Sequence, residues 1–237
     1  MKNLFKFILN FFPRPFLIRL SYTARPFLAF FLKGDRYTDP IDGKSFKTFL
    51  PYGYGKQRDN VLSPSTLSLE RHRLFWLYLK NETNFFSGKK KVLHFAPEQA
   101  FYKRFKKMPN LDYVTTDLNS PLADVKADIC NLPFEDNSFD VIFCNHVLEH
   151  IPDDTKAMQE LYRVLKPGGK AIILEFSKPK AFPIKQVFGF YSNFIIPFFG
   201  KKLSKDAKAY TYLPESVAAF PEGKDFEDIL LKIGYKD

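Results

Sequence analysis

A doubly wound α/β fold, with a parallel sheet and crossover helices, is what the sequence predicts, and three observations predict it. From Lys91 onward, short β-forming runs alternate with helical ones. Lys166-Pro167-Gly168-Gly169 then stands between the last of those helices and a further apolar run, as a stop and turn. Finally, the carboxylates Asp117 and Asp128 fall where strands should end, and in such sheets ligands bind at the carboxyl ends of the strands.

Taken in order, residues 1–32 are crowded with Phe, Leu and Ile but broken by Lys6, Pro13, Arg14, Pro15, Arg19, Arg25 and Pro26. No apolar run there approaches the ~20 residues of a membrane-spanning helix. A clean apolar core with a small-residue cleavage site, which would mark a secretory signal, is also missing. The segment reads as a basic, aromatic amphipathic helix, one that either lies in the interface of an anionic bilayer or caps the domain behind it. Residues 33–90 read as a linker or irregular cap over 33–64, punctuated by Asp42-Gly43, Tyr52-Gly53 and Tyr54-Gly55, followed by a helix over 65–80. The main domain, 91–237, places strands at 92–95, 113–116, 127–129, 141–144 and 171–176, with helices at 99–107 and 154–165.

The bulk numbers agree with one substantial core: 237 residues, 45% hydrophobic. Aromatic residues make up 17%, with 28 Phe against a single Trp, and the formal net charge is +10. Such a charge attracts polyanions, nucleic acid or anionic headgroups, without choosing between them. The two cysteines, Cys130 and Cys144, sit in apolar runs and suggest neither a disulfide framework nor a zinc knuckle, so a reducing, cytoplasmic compartment is expected.

The most specific signal is Asp128-Ile-Cys-Asn-Leu-Pro-Phe-Glu-Asp-Asn-Ser-Phe-Asp-Val-Ile-Phe-Cys-Asn-His-Val-Leu-Glu-His150, followed by Lys166-Pro-Gly-Gly169. It resembles the class I S-adenosylmethionine-dependent methyltransferases at their third to fifth motifs, which implies a Rossmann-like sheet and S-adenosyl-L-methionine as cofactor. An acid at the tip of the second strand, Asp117, followed by Leu118, can accept both ribose hydroxyls. Asp128 can accept the adenine amino group while the Ile129 backbone meets the ring edge. The first motif, Val92-Leu-His-Phe-Ala-Pro-Glu98, lacks the glycines that normally let the methionine part approach the backbone. His94, Ala96, Pro97 and Glu98 are assigned to the cofactor nonetheless, Ala96 and Pro97 as small residues and Glu98 as partner of the methionine ammonium. This stretch is similar to a class I subgroup with an LH-x-APE first motif, and that likeness runs from about Lys33 to Gly169. Asn145 and His146 would line the cofactor or acceptor pocket, and class I sheets finish with an antiparallel hairpin that has no counterpart before Asp237.

Beyond Lys166, Leu174-Glu-Phe-Ser-Lys-Pro179 and Tyr210-Thr-Tyr-Leu-Pro-Glu-Ser-Val217 resemble the ubiquinone/menaquinone C-methyltransferases, as far as about Tyr235. That resemblance implies a prenylated quinol of the demethylmenaquinol type as acceptor. His146 and Tyr212 are then the candidate groups for removing a ring-hydroxyl proton. His146-Val-Leu-Glu149-His150 formally matches the H-x-x-E-H signature of zinc peptidases, yet it follows a buried strand and spacing supplies no third ligand, so no metal is assigned. Nucleic acid is not expected as a partner, because a base-flipping Asn/Asp-Pro-Pro-Tyr motif and a basic stripe with stacking aromatics are both missing. A nicotinamide enzyme would want G-x-G-x-x-G. The function expected is methyl transfer to a lipophilic or membrane-associated acceptor, peripheral to the inner face of a membrane. A non-catalytic, cofactor-binding or membrane-associated degenerate module is the alternative, favoured by the glycine-free first motif.

Overall fold

The computed structural model describes residues 12–53, 57–175, 177–195, 216 and 220–236. They fall into two compact units: Met1–Lys90 with Pro97–Tyr113 and Asn119–Asp124, and Lys91–Ala96 with Val114–Leu118 and Val125–Asp237.

In the first unit, α1 (Arg14–Phe31) starts on a proline in its first turn, where the missing N–H costs nothing. One side of the helix is docked: Arg25 Nη1 donates to the Thr66 carbonyl at 3.1 Å, and Lys103 Nζ sits 3.4 Å from the Tyr22 ring centre. The other side leaves Phe16, Leu20, Phe27, Phe30 and Phe31 exposed. Residues 33–64 are not an irregular linker. β1 (Lys33–Thr38) pairs antiparallel with β2 (Ser45–Phe46), and β3 (Leu50–Tyr52) with β4 (Arg58–Leu62). The Asp42-Gly43 pair is a hairpin turn, with Gly43 at φ +73° where a side chain would be strained. The following helix, α2 (Glu70–Asn81), starts later than 65 because the preceding polar residues are engaged elsewhere. Ser68 Oγ donates to buried Asp39 at 3.1 Å, and Leu67 adopts φ +58°. Packing in this unit is aromatic. Phe75, Trp76, Phe85, Tyr113 and the two phenylalanines of α3 (Gln99–Phe105), Phe101 and Phe105, are buried, and the last two stack at 5.3 Å.

A five-stranded sheet organises the rest: β5 (Lys90–Phe95), β6 (Leu111–Asp117), β7 (Val125–Lys126), β8 (Phe139–Asn145) and β9 (Leu165–Leu174), in the order β7-β6-β5-β8-β9. The β5–β8, β6–β7 and β8–β9 pairings are parallel. The predicted doubly wound, Rossmann-like sheet is therefore present, with its order reversing between β5 and β8. β7 ends earlier than the predicted strand at 127–129, because Asp128 Oδ1 accepts the Cys130 N–H at 2.9 Å and turns the chain. Asp153 caps α4 (Asp154–Val164) by accepting the Lys156 N–H at 3.0 Å. Ala157, Met158, Leu161 and Val164, one face of that helix, are buried with Leu93, Ile142, Cys144 and Leu148. Arg163 holds the loop after β7 by donating to the carbonyls of Leu132 and Phe134 and to Glu160 and Asp136.

Lys166-Pro-Gly-Gly169 lies inside β9 rather than before it, as a bulge between the Phe139↔Leu165 and Val141↔Lys170 pairs. A Cβ on Gly169 would stand 2.9 Å from the Lys166 carbonyl oxygen, so the bulge closes only around glycine. β9 stands at one end of the sheet order. α5 (Ile184–Phe190), continued by a π-helical turn Tyr191–Ile195, exposes Ile184, Val187, Phe190, Tyr191 and Phe194. α6 (Lys224–Ile233) packs Phe226, Ile229, Leu230 and Ile233 on the core, and Tyr235 Oη donates to the Met158 carbonyl at 3.0 Å. Among the described residues, no helix is long and apolar enough to cross a membrane.

Candidate functional site

An open parallel sheet leaves a crevice where its strand order reverses, outside the carboxyl ends of the two strands concerned. Here those are β5 and β8, and the Phe95↔Cys144 pairing sets their ends side by side. The residues just past them depart from ordinary backbone geometry. Ala96 has φ +46° and His146 φ +54°, although neither is glycine. Both are held by backbone bonds, Ala96 N–H to the Thr116 carbonyl at 3.0 Å and His146 N–H to the Leu174 carbonyl at 2.8 Å. Left-handed geometry costs roughly 1–2 kcal/mol for a residue with a Cβ, so the neighbouring strands impose it. Asn145, the last residue of β8, is buried.

Around this point the predicted cofactor residues take different places. Asp117 ends β6 and is half-buried, and Leu118 after it is 62% exposed. Asp128 is exposed, with one oxygen committed to the turn at Cys130, and Ile129 beside it is buried in the core. His94 has no exposed surface, and its ring packs edge-on against Phe143 at 5.4 Å, within the sheet's packing rather than at its tip. Pro97 is buried, whereas Glu98 precedes α3 with its carboxylate 3.8 Å from His72 Nε2. Tyr210 and Tyr212 lie outside the described residues.

Two acids that the sequence reading gave no role stand beside His146. Glu149 lies in a short 3-10 helix, Leu148–His150, with its side chain 1% exposed, and Glu175 follows β9. Parallel pairing of β8 with β9, Asn145 opposite Leu174, brings these distant stretches together. Glu175 Oε1 accepts the N–H groups of Val147 and Leu148, both at 2.9 Å. Its carboxyl is nevertheless pushed up to about 8, chiefly by burial; those two N–H groups act against the rise, and the Glu149 charge adds to it. One donor atom from each of His146, Glu149 and Glu175 lies within 4.8 Å of the others. Glu149 was legible in the H-x-x-E-H string and Glu175 in Leu174-Glu-Phe-Ser-Lys-Pro179, but only strand pairing joins them.

The ubiE/COQ5 methyltransferase family matches residues 114–237. The match begins at residue 114, well before the Lys166 at which the sequence reading started its quinone-methyltransferase resemblance. Among curated relatives, the demethylmenaquinone methyltransferase of Porphyromonas gingivalis is 40% identical over 121 residues, 51% of this chain and 49% of its own. The ubiquinone/menaquinone biosynthesis C-methyltransferase UbiE of Idiomarina loihiensis is 42% identical over 112 residues, 47% of this chain and 45% of its own. The chain thus spans about half the length of the curated relatives it matches. Among solved structures, phosphoethanolamine N-methyltransferase 2 of Haemonchus contortus in complex with S-adenosyl-L-methionine aligns at 20% identity with a TM-score of 0.45, covering 65% of this chain and 35% of that one. The chain belongs to the ubiE/COQ5 methyltransferase family.

Proposed function

We propose that this family member binds S-adenosyl-L-methionine at the carboxyl ends of its central strands and transfers the methyl group to a ring carbon of a demethylmenaquinol-type quinol. The observation that carries the reading is Asp117, a half-buried carboxylate ending β6 near the reversal of the strand order. A carboxylate so placed can accept both hydroxyls of a ribose. In the same unit, Asp128 and the Ile129 backbone would meet the adenine, and Ala96 would let the methionine part approach the chain. The names of the relatives support the choice of a quinol.

Methyl transfer from a sulfonium is an in-line displacement with a neutral leaving group, so alignment and exclusion of water are the protein's main contributions. A quinol carbon becomes nucleophilic once an adjacent hydroxyl loses its proton, and His146, just past the end of β8, would take that proton. The exposed apolar residues of α5, Val187, Phe188 and Phe190 among them, would receive the prenyl tail. Calorimetric binding of S-adenosylhomocysteine, followed by radiolabelled methyl transfer to a panel of acceptors, tests the reading. Transfer to a prenylated, demethylated naphthoquinol above catechol, glycan and oligonucleotide is expected. Transfer only to a soluble acceptor would overturn the quinol, and binding without any transfer would favour the degenerate module.

A peripheral membrane position is part of the same reading. Phe16, Leu20, Phe27 and Phe31 recur at helical spacing along α1 and are exposed, as are the nearby Arg14 and Arg19. Such a face can sink into the headgroup boundary with its arginines at the phosphates. Full-length protein should pellet with anionic liposomes, less so in high salt, whereas a form lacking residues 1–32 should not. Equal pelleting of both would leave α1 as a cap.

A further inference from the structure

We infer that His146, Glu149 and Glu175 form a binding site for one divalent transition ion. The first ground is geometric. Two donors at the 2.0–2.2 Å bond lengths of such ions stand at most about 4.4 Å apart across the metal. The donor atoms of the three residues already lie within 4.8 Å of one another, so closure to the roughly 3.5 Å of a tetrahedral site asks for shifts of about 1 Å or less.

The second ground is independent of spacing. The Glu149 side chain is 1% exposed, and among the described residues its carboxylate oxygens and Glu175 Oε2 have only each other, with no N–H or hydroxyl donor. Two carboxyl groups packed together this way must share a proton or be answered by a positive charge, and a divalent ion can take the proton's place. The nearest cationic candidate is His150, whose Nε2 stands 3.4 Å from Glu149 Oε1 but whose side chain is 41% exposed. Placed at the rim, it stands near one Glu149 oxygen and leaves the second, with Glu175 Oε2, to the pair itself. A divalent ion between Glu149, Glu175 and His146 would answer both.

The donor set also selects the ion. One imidazole with two carboxylates suits Mn(II), Fe(II), Co(II) or Zn(II) better than the all-oxygen sites of Ca(II) or Mg(II). Cys144, in the strand before His146, is buried in the core cluster and adds no soft ligand. Glu175 comes already oriented by the Val147 and Leu148 N–H groups, as metal-bound carboxylates usually are. His146 is fixed in left-handed geometry at the strand end. This ligand set differs from the one the H-x-x-E-H string suggests, for it replaces His150 by Glu175. With an ion bound, the imidazole lone pair is engaged, and lowering the pKa of an acceptor hydroxyl would fall to the ion instead of His146.

The test titrates Mn(II) into the chelator-treated full chain, with unbound Mn(II) read by its electron paramagnetic resonance signal, and repeats the titration with Co(II) followed by visible absorption. One saturable site is expected, together with a rise in melting temperature. Glu149→Gln and Glu175→Gln should each weaken binding at least about tenfold, while His150→Ala should leave it within about twofold. If either Gln variant fails to fold, His146→Gln replaces it. The proposal is overturned if no ion binds saturably, or if His150→Ala abolishes binding while the Glu variants retain it. S-adenosylhomocysteine binding, measured on the same preparations, reports separately on the methyl-transfer reading.

Discussion

At the carboxyl ends of β6 and β7, Asp117 is half-buried and Asp128 is exposed with one oxygen committed to a turn. At the ends of β8 and β9, a few strands away in the same sheet, Glu149 is buried and Glu175, half-buried like Asp117, is packed against it. Residue type is nearly the same and strand position is alike, so surroundings decide what each carboxylate can do. An acid in contact with solvent can exchange water for a ligand's hydroxyls at little cost to the fold. A buried pair costs the fold free energy at all times, and must be answered by a proton, an ion or a neighbouring dipole.

The largest effect expected from this difference is on the open side. Asp117→Ala should weaken S-adenosylhomocysteine binding by about 1–3 kcal/mol, since two hydroxyls lose a charged acceptor, while its unfolding free energy falls by about 1 kcal/mol or less. Calorimetry and urea unfolding on one preparation read both. Unchanged affinity would remove Asp117 from the site, and a large stability loss would mean that its surroundings are less open than its burial indicates.

The buried side should answer in the opposite sense. Glu175 holds its proton to about pH 8 in the fold, whereas an unfolded chain releases it near the ordinary carboxylate value. The folded form therefore binds more protons across that window, and in the presence of chelator stability must fall as the pH rises from about 5 towards 8. Glu149→Gln removes the neighbouring charge that contributes to the rise. With chelator present it should stabilise the fold at pH 8 by about 1–2 kcal/mol and flatten this slope. A variant less stable than the parent under those conditions would show that Glu149 is answered by a group inside the fold.

How far the sequence foretold all this differs between the same regions. Strand periodicity carried the sheet, because each strand is buried and its apolar run is local; β5 and β8 contain their predicted spans at 92–95 and 141–144. The strand-end position of Asp117 was legible for the same reason, as the acid that closes a β-forming run. The Glu149–Glu175 pairing was not, since it depends on β8 and β9 lying side by side, a relation between segments rather than a property of either. Residues 33–64 were misread because glycine turns mark hairpins and linkers alike, and the short strands beside them, such as the two-residue Ser45–Phe46, are too brief to show a periodicity. His94 was assigned to the cofactor because it stands in the first motif, yet a residue inside strand β5 can turn into the core as easily as out of it, and here the side chain has no exposed surface.

The smallest effect concerns the point between the two sides, where the first motif lacks glycine. Ala96 at φ +46° carries a Cβ in a conformation that glycine adopts freely, and its neighbour beyond the β8 end, His146, is strained in the same way. Ala96→Gly should relieve the strain and stabilise the fold. Its gain, about 1 kcal/mol, is reduced by the larger entropy glycine gives the unfolded chain. The same replacement at Ala100, which is buried inside α3, should instead destabilise by roughly 1 kcal/mol or more, which controls for glycine as such. Urea unfolding of the two variants separates them by sign. Were Ala96→Gly destabilising too, the left-handed turn would not be the source of strain. Binding adds a second reading: if the methyl group of Ala96 narrows the approach of the methionine part, Ala96→Gly should tighten S-adenosylhomocysteine by up to about fivefold, whereas a change in stability alone would place the strain in the fold and leave the ligand out of it.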